Sequence, residues 1–195
     1  IRIYTLHFPR FYEELARYNR EHPNKPLYVF QGIWLDEIYE GNDLFSTSEK
    51  FDADIEEVVD CVHGNRQIEQ RPGRAYGVYD TDISEWVIAY IIGREIHPGE
   101  VLTTNELHQE INQYNGTAVS LPEGTPTDVW AAQRVDKVIC WERENYQTER
   151  PISVSSWPTL DPLDHPTEMA YGQYEDTASV DLANLDISNA PAGYF

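Results

Sequence analysis

Apolar residues run without a break from Trp86 to Ile92 and give way to Gly93, Arg94 and Glu95. A run that short, closed by glycine, fits a strand buried on both faces, as a parallel sheet requires. Residues 1–6 alternate and are rich in β-formers, and residues 27–35 form a second apolar run followed at once by Asp36 and Glu37. Both predict strands. Between them Pro9 suits a first helical turn, and Phe11, Leu15 and Tyr18 make one apolar stripe. Residues 51–63 predict a helix with Ile55, Val58, Val59 and Val62 inward and Gly64 as its stop. Thr103, Thr104, Asn105 and Glu106 have the spacing of a capping box for a short helix carrying Leu107 and Ile111. Thr127 caps a longer helix with Val135, Val138 and Ile139 inward. Residues 151–157 and 179–187 predict two more strands, and Gly193 begins a further segment. Residues 39–50, 65–82, 116–126 and 160–176 are connections.

Alternation of strands and helices predicts βαβ units and a mainly parallel sheet. The connections are longer after the strands than before them, an asymmetry typical of barrels that work at one rim. The fold expected is therefore α/β, in a single domain over residues 1–195.

Composition adds several bounds to this picture. With 41% apolar residues the chain can bury a core, and no run of eighteen apolar residues offers a membrane span. No signal-peptide pattern is present, although a start at Ile1 fits a processed chain or a piece of a longer one. A net charge of −20, with three lysines against eleven arginines, argues against nucleic acid as a partner. Such an acid excess makes a strongly solvated surface and also suits a high-salt habitat. Cys61 and Cys140 fall at apolar positions of predicted helices; two free thiols or, if the helices are neighbours, one bridge fit that placement. Asn115-Gly116-Thr117 fits a glycosylation sequon, relevant only to a secreted eukaryotic protein.

Residues 1–7, 11–15 and 26–29 resemble the second strand, second helix and third strand of barrel glycosidases of the β-galactosidase-like and cellulase-like retaining type. Ile92-Gly93-Arg94-Glu95 resembles the strand end at which that superfamily carries Gly-Asn-Glu, whose glutamate is the acid/base. Residues 179–184 resemble the strand entering the sixth position. The resemblance implies a (β/α)8 TIM-barrel-like fold, incomplete here and covering roughly the second to sixth strands. Other segments or subunits would complete it. The implied activity is hydrolysis of a glycan by general acid/base catalysis, with Glu95 as proton donor. Two departures are evident. Arg94 stands where the family has Asn, and the family's nucleophile on the seventh strand would fall beyond Phe195.

Glycoside hydrolysis needs two carboxyls flanking one bond. Glu95 is a proton donor or a solvated strand-end carboxylate; Arg94 beside it would oppose the first role unless it pairs with another acid such as Glu37. Asp36 and Glu37, leaving the same predicted rim, are sugar ligands, a second carboxylate, or plain loop acids. Trp34 and Trp157 sit at strand ends, where indole faces stack on sugars or fill core. Asp161, Asp164 and His165 lie in a long loop, which favours binding. Asp181, within a strand, would face the barrel interior. His7, closing the first strand, is a substrate donor or a surface histidine. Asp80-x-Asp82-x-Ser84 lacks the glycine and distal glutamate of a calcium loop, and no metal ligand set or cofactor motif is expected. Carbohydrate is the expected partner. The alternative to an enzyme is a non-catalytic barrel module that binds carbohydrate or protein, or a subunit of a larger assembly.

Overall fold

The computed structural model describes residues 1–155, 157, 160–161 and 178–190. Four strands form one parallel sheet in the order β1 (Arg2–Ile3), β2 (Val29–Trp34), β5 (Val87–Gly93), β8 (Ile152–Ser155). Helix α1 (Pro9–Glu21) joins the first pair, and α2 (Ser48–Val62) lies between β2 and β5. The connection from β5 to β8 holds α3 (Pro98–Leu107) and α4 (Pro126–Tyr146). Two short antiparallel hairpins, β3 (Arg66–Ile68) with β4 (Gly77–Tyr79) and β6 (Tyr114–Asn115) with β7 (Ser120–Leu121), decorate the connections.

The sheet has one helix-covered face. Gln31 and Tyr90 are partners in register. Gln31 accepts from the Tyr12 hydroxyl on α1 at 3.1 Å, and Tyr90 donates to Glu142 on α4 at 3.1 Å. Ile3, Ile33, Ile92 and Ile152 share that face and are buried. On the opposite face the alternating positions are smaller or less covered: Phe30, Gly32 and Trp34 on β2, Ala89, Ile91 and Gly93 on β5, Ser153 and Ser155 on β8. The expectation of strands buried on both faces is thus met only in part.

Helix α1 buries Tyr12, Leu15, Ala16 and Asn19, a stripe turned from the expected Phe11, Leu15 and Tyr18. The reason is polar. The Asn19 amide donates to the Leu27 carbonyl at 2.9 Å and accepts the Leu27 N–H at 2.7 Å, pinning the helix to the entry of β2. The expected inward residues of α2 and α4 are all buried, and these two helices pack together with Cys61 and Cys140 as free thiols.

Three expectations are corrected. Helix α3 starts at Pro98, with His97 and Glu100 forming its capping box, so residues 103–106 belong to its last turns. Helix α4 is capped by Thr125 and Asp128, with Pro126 in its first turn, rather than by Thr127. Residues 179–187 are not a sheet strand; their ladder is one antiparallel bridge between Ser120 and Asp186. The Asp181 carboxylate accepts from Ala183 N–H at 2.8 Å and the Asp186 carboxylate from Ser188 N–H at 2.9 Å. Such local side-chain turns compete with strand pairing. Asp181 therefore shapes a turn instead of facing a barrel interior. Asp164, His165 and the segment from Gly193 lie outside the described residues.

Candidate functional site

The carboxyl ends of all four parallel strands open into one hollow of about 910 Å³. Tyr4, Thr5 and Leu6 reach it after β1, Trp34 and Asp36 at the end of β2, Gly93 to Glu95 at the end of β5, and Ser155 from β8. Asp54, Glu57 and Val58 of α2 and the Arg71–Ala75 stretch between β3 and β4 close the side. Two glycines let these exits crowd together. A Cβ on Gly32 would stand 2.3 Å from the Tyr4 carbonyl oxygen. Gly93 adopts φ +99°, and a Cβ there would meet the Ser155 carbonyl oxygen at 2.7 Å.

Arg94 anchors the turn that carries Glu95. It is 3% exposed, and its Nη1 and Nη2 donate to the two Glu100 oxygens at 3.0 and 2.6 Å. Nη1 also donates to the Glu95 carbonyl at 3.0 Å, and Glu37 Oε2 stands 3.5 Å from Nη2. Glu100 in turn accepts the His97 N–H at 2.9 Å. The guanidinium is thus neutralised by Glu100 and Glu37, and the Glu95 side chain is left exposed on the lip of the hollow.

A closed ring of four charges holds the adjoining wall. Lys50 Nζ lies 2.6 Å from both Asp36 and Asp54, and Arg74 bonds the same two carboxylates, Asp54 at 3.1 Å. Each cation touches each anion, so the exit of β2, helix α2 and the β3–β4 connection are tied at one point. Arg71 pairs with Glu57 alongside. Arg2 sits over the Tyr4 ring, 4.8 Å from its centroid. In a chain with 34 acids and 14 bases, the lining among the described residues holds four arginines against four carboxylates, a locally balanced set.

Compared with protein-family models, curated proteins and solved structures, the chain has no match.

Of the residues singled out from sequence, Glu95, Arg94, Trp34 and Asp36 share the hollow. Glu37 reaches it only through Arg94 and lines a neighbouring depression. His7 does not line it: its ring stacks on Phe11 at 4.8 Å, and its carbonyl accepts from the Tyr79 hydroxyl at 2.7 Å. Trp157, exposed, and Asp161, half-buried, follow β8 but are not among the lining residues. Arg71 and Arg74 escaped the sequence reading because only folding brings their turn to the rim. Lys50 and Asp54 escaped it because the helix was expected from residue 51, one residue too late to include their i,i+4 ion pair. Among the described residues no group of three or more His, Cys, Asp or Glu is placed to hold a metal ion, and no helix is long and apolar enough to cross a membrane. Asp82, of the weak calcium-like pattern, accepts from Ser84 N–H at 2.8 Å. Chemically, the hollow offers an exposed indole, carboxylates and guanidiniums paired with one another, and one exposed carboxyl with a firmly held backbone.

Proposed function

We propose that this hollow is a glycan-binding cleft of glycoside-hydrolase type, with Glu95 as proton donor. The observation that carries the reading is convergence: four parallel strand ends meet at one hollow, and Glu95, Arg94, Trp34 and Asp36 reach it from the two central strands. Strand order supports a barrel-type scaffold. Strands consecutive in the parallel sheet follow chain order without reversal. A doubly wound sheet reverses at a switch point, whereas a (β/α)8 barrel does not. On this reading the sheet is one arc of a barrel that other segments or subunits complete.

Trp34 and Gly93 are partners in register, so Asp36 and Glu95 each lie two residues past a matched pair on adjacent strands. Glu95 protonates the leaving glycosidic oxygen, and Asp36 is the second carboxylate, attacking the anomeric carbon or activating water. Trp34 stacks on the apolar face of a sugar ring. Arg94 is a positioning residue: with Glu100 it fixes the turn from which Glu95 projects.

Binding without turnover is a second reading, and one observation favours it. Asp36, Asp54 and Glu57 are already engaged by Lys50, Arg71 and Arg74. Release of reducing sugar and glycan affinity, measured on wild type and Glu95→Gln, separate the two. The enzyme reading expects hydrolysis in wild type and its loss in Glu95→Gln with binding retained. Equal hydrolysis in both rejects the role of Glu95; binding without hydrolysis in either leaves the binding module.

A further inference from the structure

A second hollow of about 620 Å³ adjoins the first and shares Trp34, Asp36 and Asp54 with it. Trp34 therefore stands between two depressions, 37% exposed. The far wall is the loop after β2, and that loop is pinned. Leu35 is buried, and Ile38 packs against the core. Gly41 and Asn42 turn the chain through consecutive left-handed conformations, φ 80° and 50°. Asp43 accepts the Phe45 N–H at 3.0 Å and holds His108 Nε2 at 3.1 Å, and Leu44 N–H donates to Thr104 at 2.9 Å. On this anchored loop Tyr39 is left 91% exposed and lines the second hollow. A tyrosine has only two side-chain torsions to order, so a loop that is already anchored presents its ring to a ligand at small further cost.

We propose that the two hollows form one elongated groove for a linear, multi-unit glycan, with Trp34 at the junction and Tyr39 as the outer stacking platform. The inference rests on the glycan reading of the first hollow and extends it to ligand length. Each hollow lies within the roughly 300–1,000 Å³ that houses a single drug-sized group, so adjoining ones ask for a ligand with more than one such unit. Asp36 and Asp54 border both hollows. Their places are fixed by Lys50 and Arg74, and each carboxylate has acceptor capacity beyond two ion pairs for sugar hydroxyls.

The test is calorimetric titration of the full chain with mono-, di- and tetrasaccharides of the glucan, galactan and mannan series. It is run on wild type, Tyr39→Ala and Trp34→Ala, with circular dichroism as the check on folding. Wild type is expected to bind the tetrasaccharide of its preferred series about tenfold more tightly than the disaccharide, the worth of one aromatic platform. Tyr39→Ala removes that gain and leaves disaccharide affinity unchanged, whereas Trp34→Ala weakens both. Equal affinity for disaccharide and tetrasaccharide in wild type overturns the groove while leaving the glycan site. So does a Tyr39→Ala variant that keeps the length dependence. Absence of binding to every series overturns both readings.

Discussion

Arg94→Met removes the guanidinium that holds the Glu95 turn. Both charges of the Arg94–Glu100 pair are nearly withdrawn from water, at 3% and 5% exposure, and their contact is bidentate at 2.6 and 3.0 Å. Deleting one partner of such a pair strands the other in a poorly solvating site, at a cost of about 3–5 kcal/mol. Where Glu100 is the partner removed, Glu37, at 3.5 Å and more than half exposed, is too weakly coupled to take its place beside Arg94. Glu100→Gln is expected to cost somewhat less, because a glutamine oxygen still accepts the His97 N–H and preserves the capping box. The double variant Arg94→Met/Glu100→Gln buries no unpaired charge, so its cost falls short of the sum of the singles by about 2–3 kcal/mol. Urea denaturation of the four proteins gives the cycle, with a common m-value as the control on two-state behaviour. Single losses within about 0.5 kcal/mol of zero, or strictly additive ones, refute the view that this pair holds the turn.

Three further outcomes follow from other contacts. Asp136, buried on α4, accepts the N–H groups of Ala118 and Val119 at 2.7 and 2.9 Å and the Tyr114 hydroxyl at 3.0 Å. Asp136→Ala is expected to cost about 3 kcal/mol or more in chemical denaturation, and a near-neutral result contradicts that role. Asp36→Asn opens the four-charge ring at a partly exposed member, itself paired with the partly exposed Lys50 and Arg74, so the expected loss is at most about 1 kcal/mol and shrinks as salt is raised; a loss indifferent to salt contradicts it. Burial drives the phenols of Tyr12, Tyr79, Tyr90 and Tyr114 well above the ordinary tyrosine range and pushes Tyr146 up to about 12. The native state therefore keeps protons that the unfolded chain releases near pH ~10, and stability falls as pH rises past that point. Tyrosinate absorbance for this group should rise together with loss of circular dichroism; full ionisation in an intact fold refutes it.

Strand β5 was legible because its apolar run is short, rich in β-branched and aromatic residues and closed by glycine, and the inward residues of α2 and α4 followed from helical spacing. The start of α3 was not legible. Thr103 and Glu106 have the spacing of a capping box, yet both fall inside the helix, which His97 and Glu100 cap upstream. The residues between them serve distant partners: Thr104 accepts from Leu44 N–H, and Asn105 from Thr127 N–H and hydroxyl. The same limit governs the site. Glu95, Arg94 and Asp36 could be placed at the rim because they follow apolar runs, and Trp34 because it stands near the end of one. Arg74 meets Asp36 across 38 residues of chain, a pairing that only the folded topology creates.

The most direct measurement is a crystal structure of the chain soaked with an oligosaccharide that it binds in solution. The account predicts sugar density stacked on Trp34 in the rim hollow, with a glycosidic oxygen within hydrogen-bond distance of the Glu95 carboxyl. Sugar seated elsewhere on the molecule, with the hollow left to solvent, contradicts it.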